Sequence, residues 1–284
     1  MQMRNGLLVF FLLALPPAAA GADLQIGTGQ LAAALAAGQV RLIDAENAEN
    51  YRRAHIPGAV NLYFMELEDS EENLKTGRPV FPQLAASRFG ALGIARDSEV
   101  VVYDNGDGRG ASAVWYILRF LGHDRVRILD GGFRKWLKEQ RPVGQDAPRP
   151  VKTTYLPQPG DSWAVKPDML AQADVLVDAR SIAEFSGKEN GGARSGGHVP
   201  GARSFPWDRL AGDVATFKEA APMQRALRQA GITPDQAIVV YCNGGLGRST
   251  HLLAALTLLG YDRVKVYPGS WIEWASDPAR PVAR

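Results

Sequence analysis

A repeat inside the chain constrains it more than any other feature. The first half reads Val40-Arg-Leu-Ile-Asp44-Ala, His55-Ile-Pro-Gly-Ala59, Val100-Val-Val-Tyr103-Asp104, Leu121-Gly122-His-Asp-Arg-Val126 and Asp130-Gly-Gly-Phe-Arg-Lys-Trp136. The second half answers with Val175-Leu-Val-Asp178-Ala, His198-Val-Pro-Gly-Ala202, Ile238-Val-Val-Tyr241-Cys242, Leu259-Gly260-Tyr-Asp-Arg-Val264 and Pro268-Gly-Ser-Trp-Ile-Glu-Trp274. From Tyr103 and Tyr241 to Trp136 and Trp274 the copies stay 138 positions apart without a gap. A unit of roughly 120 residues is too long for a solenoid repeat and marks a duplicated domain. We expect a first domain over 23–140, an extended Pro- and Gly-rich linker over 141–160 and a second domain over 161–284.

Within each copy, short β-branched runs alternate with helical patterns. Residues 40–43, 100–103 and 126–129 read as buried strands, as do 175–177, 238–241 and 264–267. Helical segments over 110–121 and 249–259 lie between the last two strands of each copy, with Gly122 and Gly260 as their C-caps. Strand, loop, helix, strand implies α/β domains, each a parallel sheet flanked by helices.

The N-terminus reads as a targeting segment. Arg4 precedes an apolar run over 6–15, and small residues end in Ala20-Gly21-Ala22, a suitable cleavage site. About ten apolar residues are too few to span a bilayer. A signal peptide over 1–22, and a periplasmic or secreted mature chain starting near Asp23, are expected. The single cysteine cannot form an intramolecular disulfide, and a lone thiol in an oxidising compartment is a liability unless buried or used. With 46% apolar residues, 22% charged residues and a net charge of +2, the chain is an ordinary globular protein. It has no basic run interleaved with aromatics, so no nucleic-acid partner is expected, and no membrane association once the signal is removed.

Chemistry concentrates in Tyr241-Cys242-Asn243-Gly244-Gly245-Leu246-Gly247-Arg248-Ser249. Ligands of parallel sheets bind at the carboxyl ends of strands, and Cys242 ends one. Gly244, Gly245 and Gly247 allow the backbone N–H groups to turn inward around one point, and the following helix adds its positive end. Both favour an anion at the sulfur, hence a thiolate nucleophile, and Arg248 can pair with an anionic substrate oxygen. The bland alternative is a buried structural cysteine beside a tight turn. At the aligned position the first copy has Asp104, which cannot serve as a sulfur nucleophile, so only the second domain is expected to be active.

These residues carry a resemblance. Asp178-Ala-Arg180, His198-Val-Pro-Gly-Ala202, Val240-Tyr-Cys242-Asn-Gly-Gly245 and Gly269-Ser-Trp-Ile-Glu-Trp274 resemble the catalytic domain of tandem rhodaneses. Asp44, His55-Ile-Pro-Gly-Ala59 and Asp130-Gly-Gly-Phe-Arg-Lys-Trp136 resemble the inactive partner domain. The resemblance covers nearly all the chain after the signal segment. It implies two rhodanese-like domains and a sulfurtransferase with no cofactor or metal. Cys242 would take the outer sulfur of a small anionic donor such as thiosulfate as a persulfide and pass it to a thiol or cyanide acceptor. The amides of Asn243, Gly244, Gly245, Leu246, Gly247 and Arg248 would cradle that sulfur. The family's thiosulfate-type loop includes basic residues just after the cysteine, where this chain has Asn243 and Gly244. The mercaptopyruvate type uses Ser and Thr in its loop, which are missing here. It also uses two arginines. Arg180 matches the first, with a surface salt bridge as the alternative, and Glu184 stands with the wrong charge at the place of the second.

Other residues read as structural. His198 is duplicated as His55, and Asp178 as Asp44, so turn and strand-end contacts are expected of them. His251 reads as an ordinary helix residue, and Trp271 and Trp274 as packing. The four histidines do not cluster as zinc ligands. Two rivals stand beside a sulfurtransferase. Cys242, five residues, then Arg248-Ser249 matches the loop of cysteine-dependent phosphatases, although Tyr241 stands where those enzymes usually carry His. A sulfur carrier without turnover would share the same loop.

Overall fold

The computed structural model describes residues 24–68, 79–160 and 163–284. The signal-peptide expectation for 1–22 lies outside the described residues. Two parallel sheets form, each nucleated by a β-branched run buried on both faces, as parallel sheets require. The first contains β1 (Gln25–Ile26), β2 (Arg41–Asp44), β3 (Val60–Asn61), β4 (Val100–Tyr103) and β5 (Val126–Leu129), in the order β1-β5-β4-β2-β3. The second contains β6 (Val175–Asp178), β7 (Arg203–Ser204), β8 (Ile238–Tyr241) and β9 (Val264–Val266), in the order β7-β6-β8-β9. Read from its other edge, the second sheet is the first without β1, where the described residues show a single parallel bridge, Ala164 to Val266.

Among the described residues, the α-helices of the first half are α1 (Thr28–Ala36), α2 (Ala48–Arg53), α3 (Pro82–Ala91), α4 (Arg109–Phe120) and α5 (Gly132–Lys138). The second half has α6 (Ile182–Phe185), α7 (Ala220–Gln229), α8 (Arg248–Leu258) and α9 (Ser270–Ser276). Helices α4 and α8 leave the carboxyl ends of β4 and β8 and are buried almost all round. They pack on each other between the two sheets, so one core runs through both domains. Each helix ends at a glycine with positive φ, Gly122 (79°) and Gly260 (83°). Residues 141–160 form no helix, but they are pinned to the first domain rather than free: the Thr153 and Gln158 amides donate to the Gly90 and Leu121 carbonyls.

The duplicated motifs repeat their contacts as well as their letters. Tyr103 Oη accepts from the Ile56 amide and Tyr241 Oη from the Val199 amide. His55 stacks on Tyr51 and His198 on Phe185, each ring bonded through Nδ1 to the carbonyl of its stacking partner.

Candidate active site

Cys242 follows the last residue of β8, and its side chain points into the loop that leads to α8. Its Sγ lies 3.4 Å from Ser249 Oγ and 3.6 Å from the Leu246 carbonyl oxygen. Ser249 Oγ also donates to the Gly245 carbonyl, 2.8 Å away, tying the end of the loop to the first turn of α8. Only glycine fits at 245: φ is 93°, and a Cβ there would collide with the Pro268 carbonyl oxygen. Behind the strand end, the Cys242 amide donates to Ser270 Oγ at 3.1 Å, and Ser270 Oγ donates to the Tyr267 carbonyl at 2.9 Å. Ser270 holds φ 52° to make this contact, a conformation that costs a non-glycine residue about 1–2 kcal/mol. The aligned residue of the first copy is Gly132, at φ 53°. The Gly132–Ser270 exchange was the available sequence signal that Ser270 serves the site.

The first copy shows what such a loop holds. Asp104 Oδ1 accepts from the amides of Gly106 at 2.8 Å and Gly108 at 3.1 Å, and Oδ2 from Ala111 at 3.0 Å. Burial, then Asp107, push this carboxyl up while the three amides pull it down, leaving it at about 6, an anion at neutral pH. The aligned amides of the second copy belong to Gly244, Leu246 and Ser249. None of these three donates to an acceptor among the described residues. A nest of amides that is filled by a carboxylate in one domain is therefore free beside a thiol in the other.

The two arginines singled out in the sequence are both engaged. Arg248 is bidentate with Glu184: Nη1 reaches Oε2 at 2.5 Å and Nη2 reaches Oε1 at 3.0 Å. Glu184 also closes a capping box with Ser181 at the start of α6. Although burial pushes the Glu184 carboxyl up, its bonds to Arg248 and Ser181 outweigh this and hold it below the ordinary range. Glu184 is thus the partner of the loop arginine. Arg180 corrects the surface salt bridge expected as its alternative. Its side chain has no exposed surface; Nε and Nη2 grip Asp178, and Nη2 also donates to the Gly197 carbonyl at 2.6 Å. Its guanidinium lies over the Trp271 ring, 4.7 Å from the centroid. It is therefore not a surface salt bridge but a buried ion pair at the end of β6, with Nη1 buried and bonded to nothing among the described residues. Asn243 is drawn sideways, donating from Nδ2 to the Gly191 carbonyl at 2.7 Å.

Cys242, Asn243, Gly244, Gly245, Leu246, Gly247 and Arg248 are therefore gathered at one strand-to-helix turn, with Arg180 behind it over Trp271, whose amide donates to the Cys242 carbonyl. Sequence reasoning missed the roof, because the other domain supplies it. Phe64 and Arg109 pack against Gly247, and Glu68 packs against Gly244. The reverse contact closes the first copy. Thr216 is buried over its loop, where Oγ1 accepts from the Gly131 amide at 2.8 Å, and Arg134 donates to the Asp213 carbonyl. His251 joins this seam, fully buried against Trp207 and Phe217, with Nε2 3.5 Å from the Thr216 carbonyl.

The Rhodanese-like domain family matches this chain twice, over residues 28–139 and 165–277. The chain belongs to the rhodanese family. Its similarity to a thiosulfate sulfurtransferase of Azotobacter vinelandii is 34% identity, over 93% of this chain and 98% of the relative. A thiosulfate sulfurtransferase of Pseudomonas aeruginosa is 32% identical over 91% of this chain and 96% of its own length. The sulfur carrier protein TtuD of Thermus thermophilus is 32% identical over 87% of this chain and 91% of its own. Among solved structures, an anaerobic ergothioneine biosynthesis enzyme from Chlorobium limicola superposes with a TM-score of 0.81. At 24% identity, over 89% of this chain and 68% of that one, it shares the fold. Together these make the chain a tandem-domain rhodanese-family protein, and its relatives support sulfurtransferase activity.

Proposed function

We propose that this rhodanese moves sulfane sulfur from thiosulfate to a thiol or cyanide through a persulfide on Cys242. The supporting observation is the free amide nest of Gly244, Leu246 and Ser249, aligned with the amides that hold the Asp104 carboxylate in the first domain. In the first step the Cys242 thiolate attacks the outer sulfur of thiosulfate. A sulfur–sulfur bond forms at Cys242, the donor's own breaks, and sulfite leaves with the electron pair. The loop amides stabilise the negative charge on the outer sulfur. In the second step the acceptor attacks that sulfur, and Cys242 leaves as the thiolate.

The filled nest supports a division of labour, with 23–140 as a structural partner domain and 161–284 as the catalytic one. We read 1–22 as a signal peptide that exports the protein, which keeps the reactive thiol outside the cytosol. The bidentate Arg248–Glu184 pair speaks against a phosphatase, which needs that arginine free to hold the transferring phosphoryl group. Resemblance to a protein named a sulfur carrier supports a second reading, in which the same persulfide is delivered to a protein acceptor.

Wild type and Cys242→Ser are to be assayed for thiosulfate:cyanide sulfur transfer and for aryl phosphate hydrolysis. Transfer in wild type alone, with no phosphatase activity in either, is expected. Robust phosphate hydrolysis without sulfur transfer would overturn the proposal.

A further inference from the structure

Two arginines beside the loop are already matched by carboxylates. Arg248 is matched by Glu184, and Arg109 by Asp107, with Nη2 2.7 Å from Oδ2. Glu68 is left over. It follows the helical turn Phe64–Leu67 of the first domain and is half-buried against the loop, where a Cβ built on Gly244 would come within 2.6 Å of its Oε1. No cation among the described residues lies within ion-pair distance of it. Burial raises its carboxyl above the ordinary value, so the anion is held there at a cost that an incoming cation would relieve. Phe64 covers the neighbouring Gly247, so the acceptor approaches through a partly desolvated mouth where a single charge acts strongly.

We infer that Glu68 is the specificity-determining residue for the sulfur acceptor, selecting thiols that carry a positive charge near the attacking sulfur over those that carry a negative one. The inference rests on the persulfide reading of Cys242. In the step concerned, the acceptor thiolate forms a new bond to the outer sulfur. The bond from that sulfur to Cys242 breaks, and Cys242 departs with the electron pair. Glu68 takes no part in the bond changes. It lowers the energy of the encounter with a cation and raises it with an anion, so the non-catalytic domain sets the choice of acceptor made by the catalytic one.

The test loads Cys242 with excess thiosulfate, removes the donor, and follows loss of the added sulfur by intact mass. The acceptors are cysteamine, mercaptoethanol and mercaptopropionate, which carry positive, no and negative charge, with rates corrected for thiolate fraction. The rate ratio of cysteamine to mercaptopropionate should fall about tenfold in Glu68→Gln. It should be kept in Glu68→Asp, which retains the charge. An unchanged ratio in Glu68→Gln, or loss of the ratio in Glu68→Asp, would overturn the inference while leaving the persulfide reading intact. Discharge by none of the three thiols would overturn it too. Failure of Cys242 to load would instead overturn the persulfide reading, and the inference with it.

Discussion

Glu184→Gln isolates the balance between Arg248 and its partner. In the wild type both oxygens of Glu184 are committed to the guanidinium, at 2.5 and 3.0 Å, and Oε2 also accepts from the Ser181 amide at 3.0 Å. Glutamine keeps one acceptor oxygen, which suffices for Ser181, and turns an amide donor toward Arg248. The ion pair is then lost and the guanidinium carries an unmatched charge beside the loop. A thiosulfate dianion is the natural substitute, and a hydrogen bond to a charged partner contributes about 1.5–3 kcal/mol. The expected result is a fall in KM for thiosulfate of about one to two orders of magnitude. The same loss lowers folding stability by about 1–3 kcal/mol. Initial rates over a thiosulfate series at saturating cyanide, with urea unfolding on the same sample, measure both. An unchanged or raised KM in a folded variant would refute the view that Glu184 restrains Arg248.

Two further predictions concern the seam between the domains. Asp104→Asn should leave sulfur transfer intact while lowering stability by about 2–4 kcal/mol, because the amide nitrogen faces the Ala111 N–H and one charge-assisted bond is lost. Urea unfolding and a rate assay on the same variant check it, and loss of turnover at a temperature where the protein is folded would contradict it. Burial holds His251 neutral, moving its pKa from 6.5 to about 4. The unfolded chain therefore binds the extra proton between those values, so stability is full above 6.5 and declines as pH falls toward 4. Relative to His251→Gln, the wild type should lose about 2–3 kcal/mol between pH 7 and pH 4.5, and Asp44 and Asp104 cancel in that comparison.

The repeat made the architecture legible because buried parallel strands have an unmistakable composition. Val100–Tyr103 and Ile238–Tyr241 are four consecutive buried residues each. Strands β1, β3 and β7 escaped notice because each has two residues, too few to show a period. The loop after Cys242 was legible because three glycines in six residues have few other uses. What the two arginines touch was not. Arg180 lies two residues from Asp178, a spacing equally suited to solvent, and only the Gly197 carbonyl and the Trp271 ring, both distant in sequence, enclose the pair. Arg248 and Glu184 are 64 positions apart, and no local pattern joins them. Glu68, Phe64 and Thr216 acquire their roles only from the packing of one domain on the other.

The central claim is that Cys242 holds transferred sulfur, and intact mass spectrometry of the protein tests it most directly. Thiosulfate should add about 32 Da to wild type and nothing to Cys242→Ser, and cyanide should then remove the added mass. A wild-type mass unchanged by thiosulfate, with no sulfite released, would contradict the account.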